Sequence, residues 1–166
     1  MWPWEHAALG YLGYSLGYRL LGRDPPGDSD TVALGLATQL PDVVDKPLAM
    51  AGLVEVFHSV GHSVFLGVLL VPAALLGPRI AAVTVGWGSH LLLDAVHVVL
   101  NGRPWDVLSL GWPVTISPEP LGIPPGDFFF YYLGTPSFLL EVVFWLALLA
   151  VLGRRLRATA PTGTAE

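Results

Sequence analysis

His6, Asp42, Asp45, His58, His62, His90, Asp94 and His97 are the residues of this chain that can do chemistry together. Imidazole nitrogens and carboxylate oxygens gathered in an apolar setting make a site for a divalent cation. His90, Asp94 and His97 stand at i, i+4 and i+7, so a helix presents all three on one face. His58 and His62 are also four apart and share a face if the chain is already helical from Phe57. Neutral imidazole and ionised carboxylate suit Zn2+, and also Mn2+ or Fe2+, better than Ca2+ or Mg2+, and Zn2+ is the first choice. Such a cation lowers the pKa of a bound water toward neutrality, and Asp45, His58 or Glu141 can then act as the acid or base. That chemistry is metal-assisted hydrolysis.

Composition sets the surroundings of this cluster. The chain has 166 residues, 53% hydrophobic and only 13% charged, with a mean hydropathy of +0.60. That is too apolar for an ordinary soluble domain and points to an all-helical integral membrane protein. Eight basic residues against thirteen acidic ones give a net charge of -5. No basic surface is left for nucleic acid, and the expected partner is the lipid bilayer. The absence of cysteine excludes disulfides and thiolate metal sites.

Crossing a hydrocarbon core takes roughly 20 helical residues at about 1.5 Å each. Four stretches are expected to do so: His6 to Leu21, Ser59 to Leu76, Arg79 to Leu100 and Thr135 to Leu152. The first has Trp2 and Trp4 as interfacial anchors and no basic run before it, and is read as a retained helix. A shorter run over 31–40, capped by Asp30 or Ser29, is expected to be partly inserted and to end at Pro41-Asp42. Asp24, Asp28 and Asp30 read as turn and capping residues. If the first helix enters from outside, Arg19, Arg23, Arg79, Arg154, Arg155 and Arg157 face the cytoplasm, leaving Lys46 and Arg103 outside. The expected location is the inner or plasma membrane, with a cytoplasmic C-terminus. Every member of the cluster then falls on the non-cytoplasmic side, and His6 and His90 lie at similar depths, about 16 to 20 Å from the cytoplasmic ends of their helices. Glu141, about 20 Å from Arg154 by the same count, can join or seal the cluster. Residues 1–157 form one domain, and 158–166 read as a disordered tail. The proline-rich segment 101–134 reads as a long outward loop that lies on the membrane surface or covers the cluster, with 128–132 an aromatic interfacial belt. Ser63 reads as a helix cap or a partner of His62 and not as a nucleophile.

The strings Glu5-His6, Leu40-Pro41-Asp42, His62-Ser63 and Ser89-His90-Leu91-Leu92-Leu93-Asp94, followed by Trp112-Pro113, resemble the YdjM-like family of membrane-bound metal-dependent hydrolases, the LexA-binding inner-membrane-associated hydrolases. The resemblance runs in order from the N-terminus to about Pro113. It implies a small multi-helix membrane protein with metal ligands His6, Asp42, His62, His90 and Asp94. Two departures stand out. The family's Asp-x-Asp-His pattern appears here as Asp42-Val43-Val44-Asp45-Lys46-Pro47, and its His-Arg-x-x-Thr-His-Ser pattern as Phe57-His58-Ser59-Val60-Gly61-His62-Ser63. Asp45, His58 and His97 are therefore placed as further ligands or acid and base groups.

The expected function is metal-activated hydrolysis of an ester or phosphoester in a lipid or another membrane-associated substrate. The alternatives are a small metal-ion or proton transporter using the same groups, and a non-enzymatic scaffold whose polar residues only join helices.

Overall fold

The computed structural model describes residues 2–24 and 26–159, all of its regular structure helical. The helices are α1 (Pro3–Leu20), α2 (Asp28–Ala37), α3 (Leu40–Met50), α4 (Gly67–Ala73), α5 (Pro78–Leu100), α6 (Pro125–Leu133) and α7 (Pro136–Thr159). Short 3-10 turns cover Val64–Leu66, Ala74–Leu76 and Pro104–Gly111. Proline opens the first turn of α1, α3, α5, α6 and α7, where its missing N–H costs nothing.

The long helix α5 is central, with α1, α2 and α4 packed against it. Its approach to α2 depends on Gly86: a Cβ there would stand 2.5 Å from the Leu34 carbonyl oxygen and 2.9 Å from Ala37 Cβ. Tyr14, Leu34 and Ala82 make a small apolar core among α1, α2 and α5. Trp145 Nε1 donates to Glu5 Oε1 at 2.8 Å, and Asn101 Nδ2 donates to Ser137 Oγ at 2.8 Å, tying α7 to α1 and to the end of α5. Among the described residues, buried polar side chains outnumber buried apolar ones, while Leu69, Leu75, Leu92 and Val99 are exposed. This inverts the usual distribution of a water-soluble domain.

The expectation of four full spans is corrected. Among the described residues α5 alone is long and apolar enough to cross a membrane. Gly126–Leu133 with Pro136–Leu146 meets the same test only as one span bent by 80°. The stretch from Ser59 to Leu76 is not one helix. Ser63 is extended and its Oγ accepts from the Phe65 N–H at 3.3 Å, so helical structure begins only at Val64. The short helix is capped at Gly27 instead of Asp30 or Ser29, and Asp28 and Asp30 lie in its first turn. Pro41-Asp42 opens α3 where an end was expected, because proline starts a helix as readily as it stops one. Segment 101–134 holds the 3-10 turn and α6. The expected tail contributes its first two residues to the end of α7, and from 160 onward it lies outside the described residues.

Candidate metal centre

Four elements bring the cluster together. Helix α1 carries His6, α3 carries Asp42 and Asp45, the non-helical segment 51–63 carries His58 and His62, and α5 carries His90 and Asp94. Asp45 anchors the segment that carries His62. Its carboxylate accepts from the Ser59 N–H (2.6 Å), Ser59 Oγ (2.9 Å), the Gly61 N–H (2.8 Å), the His62 N–H (3.1 Å) and His62 Nδ1 (2.7 Å). Gly61 makes this fit possible, since a Cβ would meet the Pro41 carbonyl oxygen at 2.8 Å. Trp87 Nε1 then donates to the Gly61 carbonyl at 2.9 Å and fastens the segment to α5.

The other ring is fixed from α2. The Thr38 carbonyl oxygen can only accept, so His90 Nδ1, 2.6 Å away, carries a hydrogen. His62 Nδ1 likewise donates to the Asp45 carboxylate. Both rings thus turn Nε2 inward, and these two nitrogens face each other at 3.1 Å. Two neutral rings would oppose lone pairs there, so the contact calls for a cation between them, a proton or a metal ion.

Carboxylates complete the shell. Asp94 Oδ2 is 3.1 Å from His90 Nε2 and 3.4 Å from His62 Nε2. Asp42 Oδ1 is 3.6 Å and 3.9 Å from the same two nitrogens. Donors about 2.0 Å from a tetrahedral Zn2+ stand about 3.3 Å apart, so His62 Nε2, His90 Nε2 and Asp94 Oδ2 fit one ion, with Asp42 Oδ1 on the two histidines beside them. His6 extends the set: its ring stacks on His90 at 3.9 Å and its Nε2 is 3.4 Å from Asp94 Oδ1. His58 Nε2 is 3.9 Å from Asp94 Oδ2. Among the described residues, three groups of three have the spacing to hold an ion: His6, His90 and Asp94; Asp42, His62 and His90; and His58, His62 and Asp94.

The charge balance follows from the contacts. Burial alone would raise the Asp45 carboxyl, but the His62 ring and the N–H groups of Gly61 and Ser59 outweigh it and hold the pKa down to about 2. Burial opposes charge on His62, but hydrogen bonds with Asp45 and Asp94 and the charge of Asp42 prevail and raise its pKa to about 9. Lys46 Nζ lies 2.5 Å from Asp42 Oδ2 and neutralises the carboxylate oxygen that faces away from His62.

A cavity of about 280 Å3 opens beside the cluster, with His6, Asp42, His58 and Asp94 in its lining. His58 is the half-exposed member of the set. Ser63 Oγ donates to the Trp112 carbonyl at 2.6 Å, which matches a structural role.

The structure thus gathers His6, Asp42, His58, His62, His90 and Asp94, with Asp45 behind His62. It does not bring His97 or Glu141 into any of the three groups. His97 lies one turn beyond Asp94, its ring 5.0 Å from that of Tyr132. Glu141 accepts from the Tyr132 hydroxyl in a short hydrogen bond. The aromatic run is therefore no simple surface belt, since Tyr132 is fully buried and Phe128 and Phe129 line the cavity. Sequence reasoning missed Thr38, Ser59, Gly61 and Trp87, which orient the ligands largely through backbone groups and leave no signature in residue type.

Searches against family models, curated proteins and solved structures find no match to this chain.

Proposed function

We propose that the chain is a membrane-embedded, metal-dependent hydrolase, as its resemblance to the YdjM-like family implies. The observation that carries this reading is the His62–His90 Nε2 pair at 3.1 Å, backed by Asp45 and Thr38 and flanked by Asp94 and Asp42. Zn2+ is the first choice of ion, with Mn2+ or Fe2+ compatible with the same donors. When bound, the cation supplies a water that is acidic near neutral pH and an electrophile for the substrate oxygen.

The chain's own groups do the rest. His62, His90, Asp94 and Asp42 fix the ion, and His6 adds a donor beside Asp94. His58, open to the cavity, handles the proton passed from the attacking water to the departing alcohol. Asp45 has both oxygens engaged and acts through His62 as a positioning residue. The substrate class is an ester or phosphoester of a lipid or another membrane-associated molecule.

The apolar exterior and the polar interior support a bilayer setting, with α5 as a spanning helix. The excess of arginine at the opposite helix ends supports a cytoplasmic C-terminus and a site on the other side.

A second reading, a proton or metal path, draws on a different observation. Glu5, the sequence neighbour of His6, and Glu141 are both buried carboxyl side chains outside the three metal-binding groups. Flux in liposomes separates transport from hydrolysis.

The test of the first reading is turnover. Protein in mild detergent, supplied with Zn2+, is given p-nitrophenyl butyrate and p-nitrophenyl phosphate. Release of p-nitrophenol that falls to the chelator-treated background in a His90→Ala, Asp94→Ala variant is the expected result. Equal rates in parent and variant would overturn it.

A further inference from the structure

The cavity beside the metal centre is lined by two chemically distinct sets of residues. Its lining combines a charged set, Lys46 and Arg103 with the carboxylates Asp42, Asp94 and Asp106, and an apolar set that includes Phe57, Leu110, Leu121, Ile123, Phe128 and Phe129. Lys46 is committed to Asp42 at 2.5 Å. Arg103 is not fully committed. Its Nη1 lies 2.7 Å from Asp106 Oδ2, yet its Nε is buried with no hydrogen-bond partner among the described residues.

The backbone explains why Arg103 faces the cavity. Gly102, at φ +74°, ends α5 in the left-handed conformation, and the N–H groups of Gly102 and Arg103 return to the carbonyls of Val99 and Val98. The turn folds the Pro104–Gly111 segment back against α5, and Arg103 lines the cavity that Asp94 also lines. A guanidinium N–H buried without an acceptor is costly unless an acceptor arrives. Its planar fork suits a phosphate. A divalent ion at the centre would offset the carboxylates Asp42 and Asp94 that line the same cavity.

Resting on the hydrolase reading, we propose that the cavity takes a single-chain phosphate ester, its phosphate between Arg103 and the metal centre and its alkyl chain along the apolar set. Arg103 is the specificity-determining residue, because it separates an anionic amphiphile from a neutral one.

Three water-soluble probes separate headgroup from chain: hexyl phosphate, hexanol and inorganic phosphate, titrated calorimetrically into the full-length protein with its metal content measured in the same sample. Hexyl phosphate is expected to bind at least about tenfold more tightly than either of the others. Arg103→Met removes that preference over hexanol while metal content stays unchanged. Ile123→Glu, a change in the apolar set, weakens hexyl phosphate and leaves inorganic phosphate as it was. Hexanol binding as well as hexyl phosphate, or Arg103→Met keeping the preference, would overturn the proposal. Protein that takes up no metal yet binds hexyl phosphate through Arg103 would overturn the hydrolase reading and keep the anion site. Neither metal nor hexyl phosphate binding would overturn both.

Discussion

His62 and His90 turn their Nε2 atoms toward each other at 3.1 Å while their Nδ1 atoms are held by Asp45 and by the Thr38 carbonyl. Neither ring can rotate to relieve the contact without breaking a buried hydrogen bond, so whatever sits between them must be positive. A proton and a metal ion therefore compete for the same place.

That competition sets a pH dependence. His62 holds its proton up to about pH 9, because its carboxylate contacts raise the pKa above the ordinary 6.5. A metal ion must displace this proton, so affinity should rise about tenfold per unit as pH increases toward 9 and level off above it. Chelator competition at pH 7, 8 and 9 reads the slope. A flat profile would mean that His62 is not a ligand.

Asp45 should matter more than its distance from the ion suggests. Asp45→Asn keeps the shape but replaces an acceptor oxygen with a donor, facing donors already in place. Metal affinity should fall about 10- to 100-fold. The folded protein should also become less resistant to acid. The Asp45 pKa is lowered from 3.8 to about 2, so its contribution to stability is complete above about pH 4 and is lost as pH falls through 2. Acid unfolding of parent and variant, followed by tryptophan fluorescence, should differ between pH 4 and 2 only if this carboxylate is buried and charged.

Gly86 links packing to chemistry. Gly86→Ala places a Cβ 2.5 Å from the Leu34 carbonyl, so α2 and α5 must separate. The expected cost is about 1–3 kcal/mol of stability. Because α2 also delivers the Thr38 carbonyl to His90, metal affinity should fall in the same variant. Lost stability with unchanged affinity would show that the His90 orientation does not depend on this contact.

The bilayer setting makes its own prediction. Leu92 is 65% exposed on α5, on the side away from His90. In water Leu92→Arg would be close to neutral, whereas near the middle of a bilayer it should cost about 2.5–3.5 kcal/mol. The fraction of protein remaining in carbonate-washed membranes should drop sharply for the variant. Equal retention would argue against α5 as a spanning helix.

The cluster was legible in the sequence because ionisable residues in an apolar chain are conspicuous, and because a helix brings His90 and Asp94 to one face whatever surrounds it. His97 shows the limit of that reasoning. Spacing fixes a side chain's direction from the axis, but the neighbour it meets depends on α6, which the prolines of 101–134 disguised as loop. The same ambiguity hid α3, where Pro41 opens a helix. His58 and His62 reach Asp94 although they are not helical, because Asp45 gathers the Ser59, Gly61 and His62 N–H groups. Such backbone contacts, like the Thr38 carbonyl behind His90, are invisible in residue type. Hydropathy identified α5 but overcounted the spans, since an apolar stretch whose helical structure begins only after Ser63 reads much like one that is helical from Ser59.

The most direct test of the metal centre is its stoichiometry. Protein purified in mild detergent without chelators, and again after supply of Zn2+ or Mn2+, is analysed for bound metal by mass spectrometry beside a His90→Ala, Asp94→Ala variant. The account predicts at least one ion per chain in the parent and none retained in a folded variant. A folded parent that stays metal-free under both conditions would contradict it, and would leave the cation between His62 and His90 to be a proton.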